Sequence, residues 1–423
     1  MRAKLTHTGN IAVTALLGAL VAVGPKEGVG MSFEATSSTA DDGPRARMRR
    51  GLGACLAATA LAFGWSAQAA KAAHVSCNET ITADTTLDGD LVNCPNNGIV
   101  IGADDVTLDL NGHTIDGDGT PAVGCDPQVE FCDIGVVNDG HDGVTMRDGS
   151  VRQFEYGVFV GGARHNRVVD ISSSGNRFFG FVLGGSARSV VRNSSGNRNL
   201  APDGDGLGLF GSDHNRIVQS SFRNNAQLGI HVVDSTGNLI KENLISRNSD
   251  FGILMEADRN QVRRNRCARN DTCIIVAPGN RNVIARNHVF RGQAGIAVEL
   301  GRGNRVARNV VARAHGTGIY LALSHPPIGG ADNLVRRNRV KGSGDDAFLV
   351  REKDHRSRLK HNVAIRAGDD GFDVGSHTTK LAGNRALRNA DLGIEAVRGV
   401  IDGGGNRASG NGDPRQCTNV FCG

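Results

Sequence analysis

Between residues 98 and 411 the chain is built from short runs in which apolar and polar residues alternate, separated by Gly, Asn and Asp. A unit of 21 to 26 residues returns about a dozen times, and each copy opens Gly-hydrophobic-x-hydrophobic. Gly229-Ile230-His231-Val232 is followed by Gly252-Ile253-Leu254-Met255. Later copies are Gly295-Ile296-Ala297-Val298, Gly318-Ile319-Tyr320-Leu321, Gly371-Phe372-Asp373-Val374 and Gly393-Ile394-Glu395-Ala396. Period-2 patterning in four-residue runs predicts short strands. A second alternation, such as Asn238-Leu239-Ile240, follows about ten residues on, so a coil of two or three strands is expected.

Asparagine recurs at five-residue intervals inside the unit, as in Asn238/Asn243/Asn248, Asn260/Asn265/Asn270, Asn282/Asn287, Asn304/Asn309, Asn333/Asn338, Asn384/Asn389 and Asn406/Asn411. Asparagine tolerates the left-handed conformation that sharp corners need. Its amide can also bond to the same amide one layer above and below. These positions are therefore expected to be the turns.

A repeat of this length means a stacked architecture. A coil wound so that each strand pairs in parallel with its copy in the next unit satisfies every cue. The expected fold class is all-β: a single-stranded right-handed parallel β-helix solenoid of roughly thirteen coils with disulfide-clasped ends. At about 4.8 Å per coil the rod would be about 60 Å long. Its interior should hold columns of like residues, for instance Ile230, Ile253, Ile274, Ile296 and Ile319, followed by Phe348, Phe372 and Ile394. A helical solenoid needs stretches of about ten helical residues, and 58 glycines in 423 residues with units this rich in Asn leave no room for them.

Met48-Arg49-Arg50 precedes an apolar stretch from Leu52 to Trp65, and Ala67-Gln68-Ala69 supplies small residues at signal-peptidase spacing. Residues 48–69 are expected to be a secretory signal, with residues 1–47 either upstream of the true start or part of a double leader. Residues 70–97 would then form an N-terminal cap, 98–411 the β-helix and 412–423 a C-terminal clasp. No later segment reaches membrane-spanning length. A secreted, periplasmic or envelope location is expected.

Eight of the nine cysteines lie beyond the signal, in local pairs: Cys77 with Cys94, Cys125 with Cys132, Cys267 with Cys273, and Cys417 with Cys422. An even count in a secreted chain argues for disulfides, here paired by proximity. Clasps at the ends also cover sheet edges that a solenoid leaves open. The overall charge is near balance, 48 Lys and Arg against 43 Asp and Glu. That gives no support for nucleic acid as a partner. With aromatics at 4% of the chain, stacking on bases is not a general binding mode either.

The stretch Val106-Thr107-Leu108-Asp109-Leu110-Asn111-Gly112-His113-Thr114-Ile115-Asp116-Gly117, after Cys94-Pro95-Asn96-Asn97-Gly98-Ile99, resembles the opening of secreted bacterial β-helix proteins of the pectate-lyase-like superfamily. The Gly-Ile-x-Val and Asn-x-Val-x-x-Asn units are similar to the repeats shared with NosD-like periplasmic proteins. The resemblance covers about residues 77–411 and implies an extended surface that faces carbohydrate. The superfamily holds lyases, hydrolases, epimerases, adhesins and a copper-delivery factor on one scaffold, so it does not name the chemistry. The Asp-Pro-His-Glu of alginate epimerases and the Gly-His-Gly of galacturonan hydrolases are not cleanly present. Outside the leader and signal start, Met146 and Met255 are too few soft ligands for copper delivery.

Aligning the units on their opening Gly puts outward residues in columns, one of them ending Tyr320, Leu349, Asp373, Glu395 and a second carrying Glu256, Glu299 and Arg351. Acids recur just before the opening Gly. Two units carry pairs, Gly344-Asp345-Asp346-Ala347 and Gly368-Asp369-Asp370-Gly371, and winding would make them neighbours. An acid ahead of a strand is ordinarily a turn cap. Four stacked carboxylates nevertheless need neutralising, by calcium at Asp345 and Asp369, by nearby cations, or by a raised pKa on one acid.

The catalytic candidates are accordingly Asp346, Asp370, Asp373, Lys353, Arg351 and His355, with Tyr320, Glu299, His377 and Glu395 as substrate-binding candidates. A lyase or epimerase of uronic-acid polymers would use a cation or calcium to stabilise the uronate carboxylate while Lys353, Arg351, His355 or Tyr320 removes the adjacent proton. A hydrolase would draw its two carboxylates from Asp346, Asp370 and Asp373. The alternative from another class is a noncatalytic β-helix whose partner is a cell-surface glycan. The loop around His325-Pro326-Pro327 is a candidate wall for a groove beside Tyr320.

Overall fold

A computed structural model describes residues 73–121, 124, 132–200, 202–321 and 329–423. Every described element is a strand or a turn. Fourteen strands, from Glu79–Ile81 to Ile394–Ala396, stack in order into one long parallel sheet. The other strands form two further parallel columns. These are joined where the eight-residue strands Thr145–Arg152 and Arg167–Ser174 run through both. Three strands per turn thus enclose one core, over about fourteen turns, in keeping with the roughly thirteen expected.

The expected interior column is present in register: Ile230 pairs with Ile253, Ile253 with Ile274, Ile274 with Ile296, and so on through Phe348, Phe372 and Ile394. All are buried, and the rings of Phe348 and Phe372 stack with centroids 4.6 Å apart. The opening glycine is required by space. A Cβ on Gly229 would lie 2.5 Å from the carbonyl oxygen of Gly252 in the next turn and 2.7 Å from the amide of Asn248.

The asparagines do form ladders, buried and continuous. Oδ1 of Asn265 accepts the backbone N–H of Asn243 at 2.9 Å and its side-chain amide at 3.1 Å. Asn265 repeats both bonds to Asn287, and Asn287 to Asn309. The left-handed residue, however, is the one before each ladder asparagine. Arg264, Arg286, Arg308 and Arg337 have φ between 54° and 58°. The side chain must point inward to reach its ladder partners, so the preceding residue makes the corner.

Disulfides join Cys77 to Cys94, Cys267 to Cys273 and Cys417 to Cys422, as expected from proximity. Cys132 is also disulfide-bonded, while Cys125 lies outside the described residues. So do residues 1–72, which carry the expected leader and signal. Residues 79–94 already contribute strands and core side chains to the first turn, with Ile81, Leu87 and Leu91 buried. Among the described residues no helix is long and apolar enough to cross a membrane.

Candidate functional site

On the outer face of the long sheet, winding turns sequence spacing into contact. Tyr320 pairs with Leu349, Leu349 with Asp373, and Asp373 with Glu395, in one outward column. Asp346 and Asp370 stand two residues before the inward Phe348 and Phe372, on adjoining turns. Both are buried, at 6% and 3% exposure. Oδ1 of Asp346 accepts the N–H of Asp370 at 3.2 Å, and Oδ1 of Asp370 accepts that of Leu392 at 2.7 Å. Each acid is therefore a cap on the turn above it.

The cap uses one oxygen and leaves the charge poorly solvated. Burial, then the charges of Asp345 and Asp373, pushes Asp346 up to about 7. Burial also pushes Asp370 up to about 8, against the pull of the Leu392 N–H and with Glu395 hydrogen-bonded to it. Asp373 is raised by burial and by Glu395, with Arg351 opposing. Asp369 is raised by burial and by Asp345.

Carboxylate oxygens of Asp345, Asp346 and Asp369 lie within 4.8 Å of one another, as do those of Asp369, Asp370 and Asp391. Asp369 belongs to both trios. Hard carboxylate oxygens suit calcium, which takes 6–8 oxygen ligands, so either trio would need water or ligand oxygens to complete the shell.

At the far end of the same strands, Arg351, Glu352, Lys353, Asp373 and Gly375 line a pocket of about 280 Å³. Tyr320 donates its hydroxyl to Oε1 of Glu299. Burial and the Glu299 charge raise the phenol further above its usual value, so Tyr320 is held as a hydrogen-bond donor and is poorly suited to act as a base. Neither His355 nor His377 lines this pocket, and His355 bridges to Ala331 while its N–H bonds Gly330, on the turn leaving the long sheet. Residues 322–328, with the expected Pro-Pro wall, lie outside the described residues.

Several turns earlier on the same corner as Asp345, a cleft of about 650 Å³ is lined by Arg247, Arg269, Arg291, Asp271, Gln293 and His315. It leads toward the acids, because Thr317 Oγ1 bonds Asp345 at 3.4 Å and His315 packs against Gly344.

Sequence spacing alone does not bring together Asp205, His231 and Glu256. His231 Nε2 lies 3.1 Å from Glu256, and Nδ1 lies 3.8 Å from Asp205. Burial pushes Asp205 up to about 7, with His231 opposing. Its Oδ1 caps the N–H of Leu228 at 2.7 Å, in the same column as Asp346 and Asp370. The signal was an acid directly before an opening glycine, Asp205-Gly206, as in Asp370-Gly371.

No curated protein matches the chain. Among solved structures it is similar to a DFA-IIIase from Arthrobacter chlorophenolicus A6, with 13% identity over 67% of this chain and 70% of that one and a TM-score of 0.46. A periplasmic alginate epimerase shows 13% identity over 81% and 78%, with a TM-score of 0.45. PfbA, a surface adhesin of Streptococcus pneumoniae, shows 10% identity over 76% and 83%, with a TM-score of 0.47. The family model described as a right handed beta helix region matches residues 97–257 and 205–328, more than half of the chain. With three parallel columns wound around one core, the chain belongs to the right-handed β-helix family.

Proposed function

We propose that the protein acts, outside the cytoplasm, on a polysaccharide of uronic acids. The observation that carries this reading is the Asp346–Asp370 pair: two buried carboxyls on adjoining turns, pushed up to about 7 and about 8, with Asp373 standing between them and a pocket lined by Arg351 and Lys353. Such values suit proton transfer near neutral pH. In β-elimination, Arg351 would hold the uronate carboxylate and Lys353 would take the proton beside it. The bond to the glycosidic oxygen breaks as the carbon–carbon double bond forms, and Asp373, which lines the same pocket and is raised by burial, supplies the leaving oxygen with its proton. Epimerisation would return the proton to the opposite face instead, and hydrolysis would use Asp373 with Asp346 or Asp370 about the glycosidic bond.

The basic cleft at Arg247, Arg269 and Arg291 supports the substrate class, since it would hold neighbouring uronates on the same corner. Calcium at Asp345 and Asp369 would neutralise the acids and bind uronate oxygens. The disulfides support an oxidising compartment.

A noncatalytic glycan-binding reading is favoured by one fact: Asp346 and Asp370 both spend an oxygen capping backbone N–H groups. Incubation with polygalacturonate and alginate separates the two, following absorbance of unsaturated ends and the appearance of reducing ends. Turnover that falls at least ~100-fold in Asp373→Asn or Lys353→Ala is the expected result. Inertness on every uronan would leave the binding reading.

A further inference from the structure

The near balance of charge along the chain conceals a strong separation in space. The corner made by Arg264, Arg286, Arg308, Arg337 and His361 joins the second and third strand columns, away from the long sheet. Its residues stack in register. The N–H of Arg264 bonds the carbonyl of Ala285, Arg286 that of Ala307, Arg308 that of Arg336 and Arg337 that of Lys360, each at 3.0–3.2 Å.

Around this corner, six consecutive turns contribute residues 261–268, 283–290, 305–312, 334–341, 358–365 and 380–387. These segments hold fourteen Lys and Arg and no Asp or Glu. The corner arginines are exposed, and of the four only Arg264 has an ion pair among the described residues, with Glu242 one turn earlier. Arg336 is lowered by burial and by the charges of Arg337, Arg305 and Arg308, which places those guanidiniums close together.

The left-handed corner does not demand arginine. Equivalent turns carry Asn193, Gln219 and Glu242 before this stretch, Gly383 in its last turn and Gly405 after it. Glycine and asparagine adopt that conformation with less strain. Stacked guanidiniums about 4.8 Å apart repel one another, so neither conformation nor stability accounts for them.

We propose that this arginine edge binds a linear anionic polysaccharide lying along the rod, as an anchoring surface separate from the acidic groove. A pyranose unit is about as long as one turn is high, so successive carboxylates can meet successive turns. Arginine forks carboxylates bidentately, and each contact releases counterions. The choice of polysaccharide rests on the uronan reading above, whereas the edge itself does not depend on any chemistry at Asp373.

The test is binding of the full chain to polygalacturonate, with neutral dextran and duplex DNA as comparison probes, across a salt series. The variant Arg286→Asn/Arg308→Asn/Arg337→Asn removes charge while keeping a residue that accepts the corner. Arg188→Asn/Arg198→Asn/Arg259→Asn removes the same charge from other exposed left-handed corners. Binding by the edge variant should fall at least ~10-fold at low salt, with a log–log salt slope shallower by about two to three. The control variant should bind as the parent does. An unchanged edge variant, an equal loss in the control, or tighter binding of duplex DNA would each overturn the proposal. So would a parent that binds no polygalacturonate, and uronan turnover then decides the catalytic reading separately. Absent turnover with edge-dependent binding would sink the catalytic reading alone.

Discussion

Asp370 donates its backbone N–H to Oδ1 of Asp346, one turn earlier in the solenoid, at 3.2 Å. The same residue then accepts the N–H of Leu392 through its own Oδ1 at 2.7 Å. One acid column thus does two things: it caps successive turns, and it stores carboxyls whose charged form is disfavoured.

That arrangement sets a pH dependence. Between the ordinary value of 3.8 and the folded values of about 7 for Asp346 and 8 for Asp370, the folded chain holds more protons than the unfolded one. Their favourable contribution is therefore complete below pH ~4 and is lost as pH rises through 7 and 8. Asp370→Asn keeps the acceptor for Leu392 and removes the titration. In EDTA its unfolding free energy should gain on the parent's from pH 5 to pH 9, by an amount on the order of 1 kcal/mol. A difference that stays flat over that range, followed by circular dichroism, would show that Asp370 does not titrate there.

Calcium tests the neighbouring acid. Asp369 belongs to both carboxylate trios, so it is the residue whose loss opens both. Added calcium should stabilise the parent by mass action, by about 1.4 kcal/mol at ten times the dissociation constant, and so raise its melting temperature, with magnesium doing less. Asp369→Asn should flatten the titration. Equal shifts in parent and variant would place any bound calcium elsewhere.

How much of this the chain discloses follows from the range of the interactions. Gly229, Ile230 and Val232 announce the inward strand because space and burial act within one turn and repeat. The asparagine ladder is legible for the same reason. Its corner falls one residue earlier than the asparagine pattern suggests, because the sequence shows Arg308 beside Asn309 without showing which of the two bends.

The Asp205, His231 and Glu256 constellation leaves only a partial signal, the acid before the opening Gly206; that the His231 ring reaches both acids depends on side-chain conformations across three turns, which the sequence does not show. Charge segregation is hidden likewise, since 48 bases against 43 acids say nothing of which face each occupies.

The corner and the ladder can be told apart by substituting adjacent residues. Arg308 carries the left-handed φ of 57°, and its side chain is exposed. Arg308→Asn keeps a residue that tolerates this conformation and the backbone bond to Arg336, so stability should stay within about 0.5 kcal/mol. Asn309 is buried. Its Oδ1 accepts both the N–H and the side-chain amide of Asn287, and its own amide donates to Ile284 and to Asn338. Asn309→Ala strands those buried groups in the middle of a continuous ladder and should cost about 3 kcal/mol or more. Urea denaturation followed by circular dichroism measures both. Should the arginine substitution prove as costly as the asparagine one, the corner rather than the ladder would be what holds neighbouring turns together.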